Sequence, residues 1–192
     1  MAQTEITVQV FEDFESIKNK LKKCGFLPAE TFVLDDEYYS KYSLAKIMSL
    51  DYAALIKSSI LLRQITDAKT QTQLIYKTKT IDKNGVVEAE EKHKMKIESK
   101  TAAQNILSKA GLVCYSKLLQ KCHVFKGQNY SFVVQTVDNL GTFIEFEESE
   151  QMANLSAVEK IAQLTRLAQS FNLKLGKDYS CKKPYMMLHK SK

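Results

Sequence analysis

No two cysteines in this 192-residue sequence are spaced as C-x-x-C. Cys24, Cys114, Cys122 and Cys181 are scattered, so a zinc site is not expected and reduced thiols are. No apolar run approaches the ~20 residues that span a bilayer, and "MAQTEITVQV" lacks the basic-then-apolar layout of a secretory leader. A cytoplasmic protein with no membrane partner is therefore expected. Repeats, linkers and low-complexity tracts are also missing, so residues 1–192 are read as a single domain, with a C-terminal helix and tail (154–192) packed on it. The composition, 44% hydrophobic and 26% charged, is too apolar for a disordered chain.

What the chain does have is positive charge, a formal +6. That balance favours anionic partners, without separating nucleic acid from a nucleotide or from a need for solubility.

Hydrophobic periodicity supplies the elements. "EITVQV" sets Ile6, Val8 and Val10 against Glu5, Thr7 and Gln9, the period of a strand with one apolar face. Phe14, Ile17, Leu21 and Cys24 follow at helical spacing up to Gly25. Residues 28–59 read as a short strand and then a loop or short helix around Ser43–Ala54. Three strands come next, "ILLRQI", "TQLIYKTKTI" and "VVEAEEKHKMKI", with a hairpin at Asn84-Gly85. Ser99 caps a helix ending at Gly111. "CYSKLLQKCHVF", "YSFVVQTV" and "GTFIEFE" are the last strands, and Ser156 with Glu159 forms a capping box for a final long helix.

Sorting these strands by face gives the functional expectation. The polar sides carry Glu5; Arg63; Lys77 and Lys79; Lys92, Lys94 and Lys96; Lys121 and His123; Glu145 and Glu147. The opposite sides are largely apolar, as if helices packed outside and the polar sides lined a wet interior. Lysine and arginine suit phosphate oxygens, and carboxylates at i, i+2 suit a hard cation such as Mg²⁺ or Mn²⁺. A solvated face is the plain alternative for any single strand. His93, on an apolar side, is expected to be packed. Binding to nucleic acid is disfavoured, because the polar faces carry few aromatics for base stacking.

The order of segments resembles the CYTH superfamily, the triphosphate tunnel enzymes that include class IV adenylyl cyclases and thiamine triphosphatases. The resemblance spans nearly the whole chain: "EITVQV" at the family's ExExK strand, "DDEYYS", "LLRQI", "LIYKTK", "ILSKAGL" and above all "VDNLGTFIEFE". It implies an α+β fold, an eight-stranded antiparallel β-barrel or tunnel with helices outside, binding a triphosphate with basic residues and one or two divalent metals with acidic ones. Carried over, Arg63, Lys77 and Lys121 would grip phosphate, and Glu5, Glu145 and Glu147 would hold Mg²⁺ or Mn²⁺ and serve catalysis. The sequence departs from the pattern where Thr7, Gln9, Lys94, Lys96 and Gln135 replace expected motif residues, thinning the acidic set and enlarging the basic one.

Two functions follow as expectations. One is metal-dependent hydrolysis of a triphosphate (inorganic triphosphate, thiamine triphosphate or a nucleoside triphosphate), or a class IV adenylyl cyclase-like reaction. The other is a tunnel that binds triphosphate, polyphosphate or nucleotide without turnover. The expected partner is a triphosphate-bearing small molecule or polyphosphate, with a homodimer left open.

Overall fold

The computed structural model describes residues 4–56, 59–81 and 87–190. In chain order the elements are β1 (Glu5–Val10), α1 (Phe14–Lys23), β2 (Leu27–Ser40), α2 (Leu44–Met48), α3 (Tyr52–Ile56), β3 (Ser59–Thr66), β4 (Thr70–Ile81) and β5 (Val87–Ile97). Then come α4 (Lys100–Lys109), β6 (Val113–Lys126), β7 (Ser131–Val137), β8 (Gly141–Glu147), α5 (Ala157–Ser170) and α6 (Lys183–Lys190). The eight strands form one antiparallel sheet in the order β1-β8-β7-β6-β2-β3-β4-β5. β1 and β5 are its ends, and among the described residues no ladder of hydrogen bonds joins them to close a barrel. The expected Asn84-Gly85 turn lies outside the described residues.

Contacts divide the chain into two compact units. The first holds Val33–Leu119 and the segment from Lys182. In it α4 covers one face of the sheet, where Leu107 packs with Tyr39, Leu62, Ile60 and Leu74. The Ser99 hydroxyl starts α4 by accepting from the Ala102 N–H at 3.1 Å, and Gly111 (φ +81°) ends it in the left-handed conformation that glycine adopts without a Cβ penalty. Tyr38 and Tyr115 pack with Ile47 of α2, Leu55 of α3, and Tyr185 and Leu188 of α6 in a second cluster.

The second unit holds Gln120–Cys181 and the N-terminal segment to Phe32. Its core is one sheet face, with Val8, Ile144, Val134, Phe125, Phe132 and Phe146 set under Ile17 and Leu21 of α1 and Leu164 and Ala168 of α5. Each of these side chains larger than Ala168 contributes about 1.5–3 kcal/mol on burial. That is why the apolar stripes of α1 and α5 must face this side of the strands. The α5 capping box is formed as read from Ser156 and Glu159.

The free edge of β1 is covered by the tail. Thr7 N–H donates to the Tyr179 carbonyl at 3.0 Å, and the Thr7 carbonyl accepts from Cys181 N–H at 3.0 Å. Gly176 N–H donates to the Gln9 carbonyl at 2.8 Å. These bonds satisfy backbone groups that an end strand otherwise leaves open to mispairing.

Residues 28–59 differ most from the reading. β2 is a single strand of 14 residues, and its first five side chains (Leu27–Thr31) are exposed, so no apolar alternation marks that half. The expected loop or short helix is two one-turn helices, α2 and α3. His93, expected to be packed, is exposed beside Glu91 at 2.8 Å, as is Met95 on the same face of β5.

Candidate functional site

In the second unit, β1 lies beside β8 with Glu5 opposite Glu147 and Thr7 opposite Glu145. Directly opposed side chains share a face, so Glu5, Glu145 and Glu147 all emerge on the side away from α1 and α5. One carboxylate oxygen of each lies within 4.8 Å of the others. Oxygens on opposite sides of a bound Mg²⁺ sit roughly 4.2 Å apart, so small side-chain shifts would let the three share one ion. Three like charges at this spacing repel by about 1–3.5 kcal/mol per pair across the range from bulk water to a protein surface. A divalent cation offsets that cost, and the donor set of hard oxygens fits one.

The neighbouring residues show why this face is separate from the structural one. Glu148 points the other way: it accepts from the Thr4 N–H at 3.0 Å and pairs with Lys160 of α5 at 2.8 Å. Burial alone would raise the Glu148 pKa, but Lys160 and Thr4 together hold it below the ordinary glutamate range. Gln9, at the position of the family's lysine, donates to the Leu140 carbonyl at 2.9 Å and braces the β7–β8 turn. Thr7 and Gln135 are 4% exposed, neutral occupants of the acidic face.

Lys121 and His123 do not join the glutamates. Along β6 they pair with Thr136 and Val134, and Val134 pairs with Ile144, which belongs to the helix-covered core. Their side chains therefore leave the sheet on the α1 side. Cys122, paired with Gln135, occupies the face of Glu145. His123 stacks on Phe14 of α1 at 4.2 Å between ring centroids, and its Nδ1 lies 3.1 Å from the Thr31 hydroxyl. Burial first, then Lys121 and Lys18, push its pKa below the ordinary histidine value, against a smaller opposing pull from Glu15. Polar residues on β6 alternate one step out of phase with those on β7 and β8, so these two positions lie on the opposite face from Glu145 and Glu147.

In the first unit the basic residues do share a face. Asp36 pairs with Arg63, Arg63 with Gln73 and Gln73 with Lys96 across β2, β3, β4 and β5. Lys77 lies opposite Lys92, and Ile75 opposite Lys94. Lys79 keeps this register opposite Glu90, but its side chain lies outside the described residues. The other face of these strands is the one α4 covers, as the alternation of Leu62, Leu74 and Met95 implied. Lys92, Lys94 and Lys96 are exposed, and no described side chain pairs with them. Arg63 is fixed by Asp36, whose Oδ1 accepts from Nε and Oδ2 from Nη2, both at 2.7 Å. A two-point contact of this kind sets the guanidinium plane as well as its position.

Two residues of this face carried no assigned role in the sequence reading. Asp36, inside "DDEYYS", is fully buried as the partner of Arg63. Gln73 is 5% exposed, and its Oε1 has no hydrogen-bond partner. Its signal was present: Gln73, Ile75 and Lys77 share one parity in "TQTQLIYKTK".

No family model matches the chain, and no curated protein matches it in sequence. Solved structures match it in fold. The PH1819 protein of Pyrococcus horikoshii OT3 has a TM-score of 0.69 at 16% identity, over 98% of this chain and 98% of its own. HpAC1 of Hippeastrum, described as a candidate adenylyl cyclase with a dominant triphosphatase activity, has a TM-score of 0.61 at 15% identity, over 99% of this chain and 96% of its own. A chain of the Schizosaccharomyces pombe Mediator head module has a TM-score of 0.58 at 12% identity, over 91% and 98%. The chain thus has a CYTH-like fold, as the segment order led one to expect. At these identities the likeness to a triphosphatase or cyclase is one of fold. No helix among the described residues is long and apolar enough to cross a membrane.

Proposed function

We propose that residues 1–192 act as a single domain that binds a triphosphate-bearing small molecule or polyphosphate with Mg²⁺ or Mn²⁺ and hydrolyses a phosphoanhydride bond. The observation that carries this reading is the approach of Glu5, Glu145 and Glu147 to within 4.8 Å of one another on the face opposite the helices. Those three carboxylates would hold the cation. When bound, it would neutralise phosphate charge and make a water more acidic. Arg63, oriented by Asp36, and Lys77, Lys92, Lys94 and Lys96 would take phosphate oxygens. Phosphoryl transfer needs positioning and charge stabilisation more than a covalent group, and these side chains suit that task. HpAC1, of similar fold, has a dominant triphosphatase activity, which supports this choice of reaction over cyclisation.

Binding without turnover is the second reading, favoured by Thr7, opposite Glu145, and Gln135, opposite Phe143 on the same face, both neutral and buried where the family pattern has acids. Fold does not decide between them, since the Mediator head module shares it. The test is phosphate and pyrophosphate release from tripolyphosphate, ATP and thiamine triphosphate, each with Mg²⁺, Mn²⁺ or chelator, beside thermal shifts of the same mixtures. Metal-dependent release is the expected result. Stabilisation by triphosphate without release would select the second reading, and neither would sink both.

A further inference from the structure

Gln73 sits in the middle of the cross-strand row Asp36, Arg63, Gln73, Lys96 and is 5% exposed, yet its Oε1 has no hydrogen-bond partner. A buried, unpartnered amide oxygen destabilises a fold, and leucine or methionine would fill this position at similar volume without that cost. The residues on either side are cations, one of them locked in orientation by a buried aspartate. Gln73 shares the sheet face of Arg63 and Lys96, and the other end of its amide, the NH₂, carries two N–H donors.

The geometry points to Gln73 as a ligand-binding residue: a neutral N–H donor to a phosphate oxygen lying between Arg63 and Lys96. This inference rests on the phosphate-binding reading above and adds to it a residue chosen for hydrogen bonding rather than charge. A neutral donor between two cations supplies direction without further like-charge repulsion along the row. The unpaired oxygen is then a cost in stability accepted for the donor at the other end.

The experiment measures apo Tm and the Kd for tripolyphosphate and for ATP in wild type, Gln73→Leu and Gln73→Met, with the salt dependence of each Kd. Both variants keep the net charge, and methionine's flexible side chain provides a second, more adaptable filling if leucine folds poorly. The expected result is a raised Tm, a Kd for both ligands weakened about tenfold, the loss of one hydrogen bond to a charged group, and an unchanged slope of log Kd against log salt. Unchanged affinity in both variants would overturn the inference, as would a lowered Tm with normal binding, which marks the amide as structural. Weakened binding of ATP alone would overturn the phosphate assignment in favour of a nucleoside contact. Wild type that binds neither ligand would fail at the first measurement, bringing down the parent reading along with this one.

Discussion

Asp36 holds Arg63 by two parallel hydrogen bonds of 2.7 Å, the carboxylate fully buried and the guanidinium partly open. Removing the arginine leaves a buried charge without this partner, a loss of about 3 kcal/mol or more. Arg63→Leu should therefore lower the urea midpoint strongly, while Asp36→Leu with Arg63→Leu should recover much of the loss. A double-mutant cycle by urea unfolding reads the coupling directly. A coupling near zero would mean that the contact is incidental and that Arg63 is positioned by something else.

Glu145→Gln with Glu147→Gln tests the cation site. The pair of substitutions should abolish the thermal shift caused by Mg²⁺ or Mn²⁺ and reduce metal-dependent hydrolysis at least a hundredfold, because only Glu5 of the three oxygens' sources would remain charged. Stabilisation by tripolyphosphate in chelator should persist, since the basic face is untouched. Metal shifts that survive the double substitution would place the ion elsewhere.

Much of this arrangement was legible in the sequence, for a physical reason: period-2 alternation reports a strand with one packed face, and most strands here have one. Leu62, Leu74 and Leu107 gave the covered face of one unit, and Val8, Ile144 and Phe146 that of the other. That alternation puts Glu5, Glu145 and Glu147 on polar strand faces, while grouping them as one set rested on the resemblance to the triphosphate tunnel family, since no local pattern tells that β1 lies beside β8. Alternation was misleading on β6, where Tyr115 and Ser116 are both buried in succession and the pattern changes phase, so Lys121 and His123 leave on the α1 side. Asp36 was hidden because a carboxylate buried against a partner 27 positions away leaves no local signature. The pairing of the tail with Thr7 was hidden in the same way, since backbone bonds carry no side-chain code.

Lys92, Lys94 and Lys96 are exposed on β5 and share a face with Arg63 and Lys77. Lys94→Glu should weaken tripolyphosphate binding roughly tenfold at low salt, from the loss of one attraction and the gain of one repulsion, and the difference should shrink as salt rises. Titration calorimetry at two salt concentrations measures this. Equal affinity at low salt would show that β5 is a solvated edge with no ligand on it.

His123 makes stability depend on pH in a window above that of Glu37 and Glu148. Its pKa is depressed by burial against Phe14 and by Lys121 and Lys18, so between the folded value and about 6.5 the unfolded chain binds more protons than the native one. Stability should therefore be full above that range and fall as pH drops through it, flattening once the native histidine is also protonated. Glu37 and Glu148 titrate below the ordinary glutamate range and so add their own loss only at more acid pH. Burial would raise Glu37, but the Tyr39 hydroxyl, Lys100, Lys117 and Gln104 outweigh it. His123→Phe keeps a ring against Phe14 and cannot take up a proton, so its Tm should vary less between pH 7 and pH 5 than that of wild type. Differential scanning calorimetry across that range decides the matter: parallel profiles would mean that the ring opens to solvent on protonation and that the acid sensitivity comes from another group.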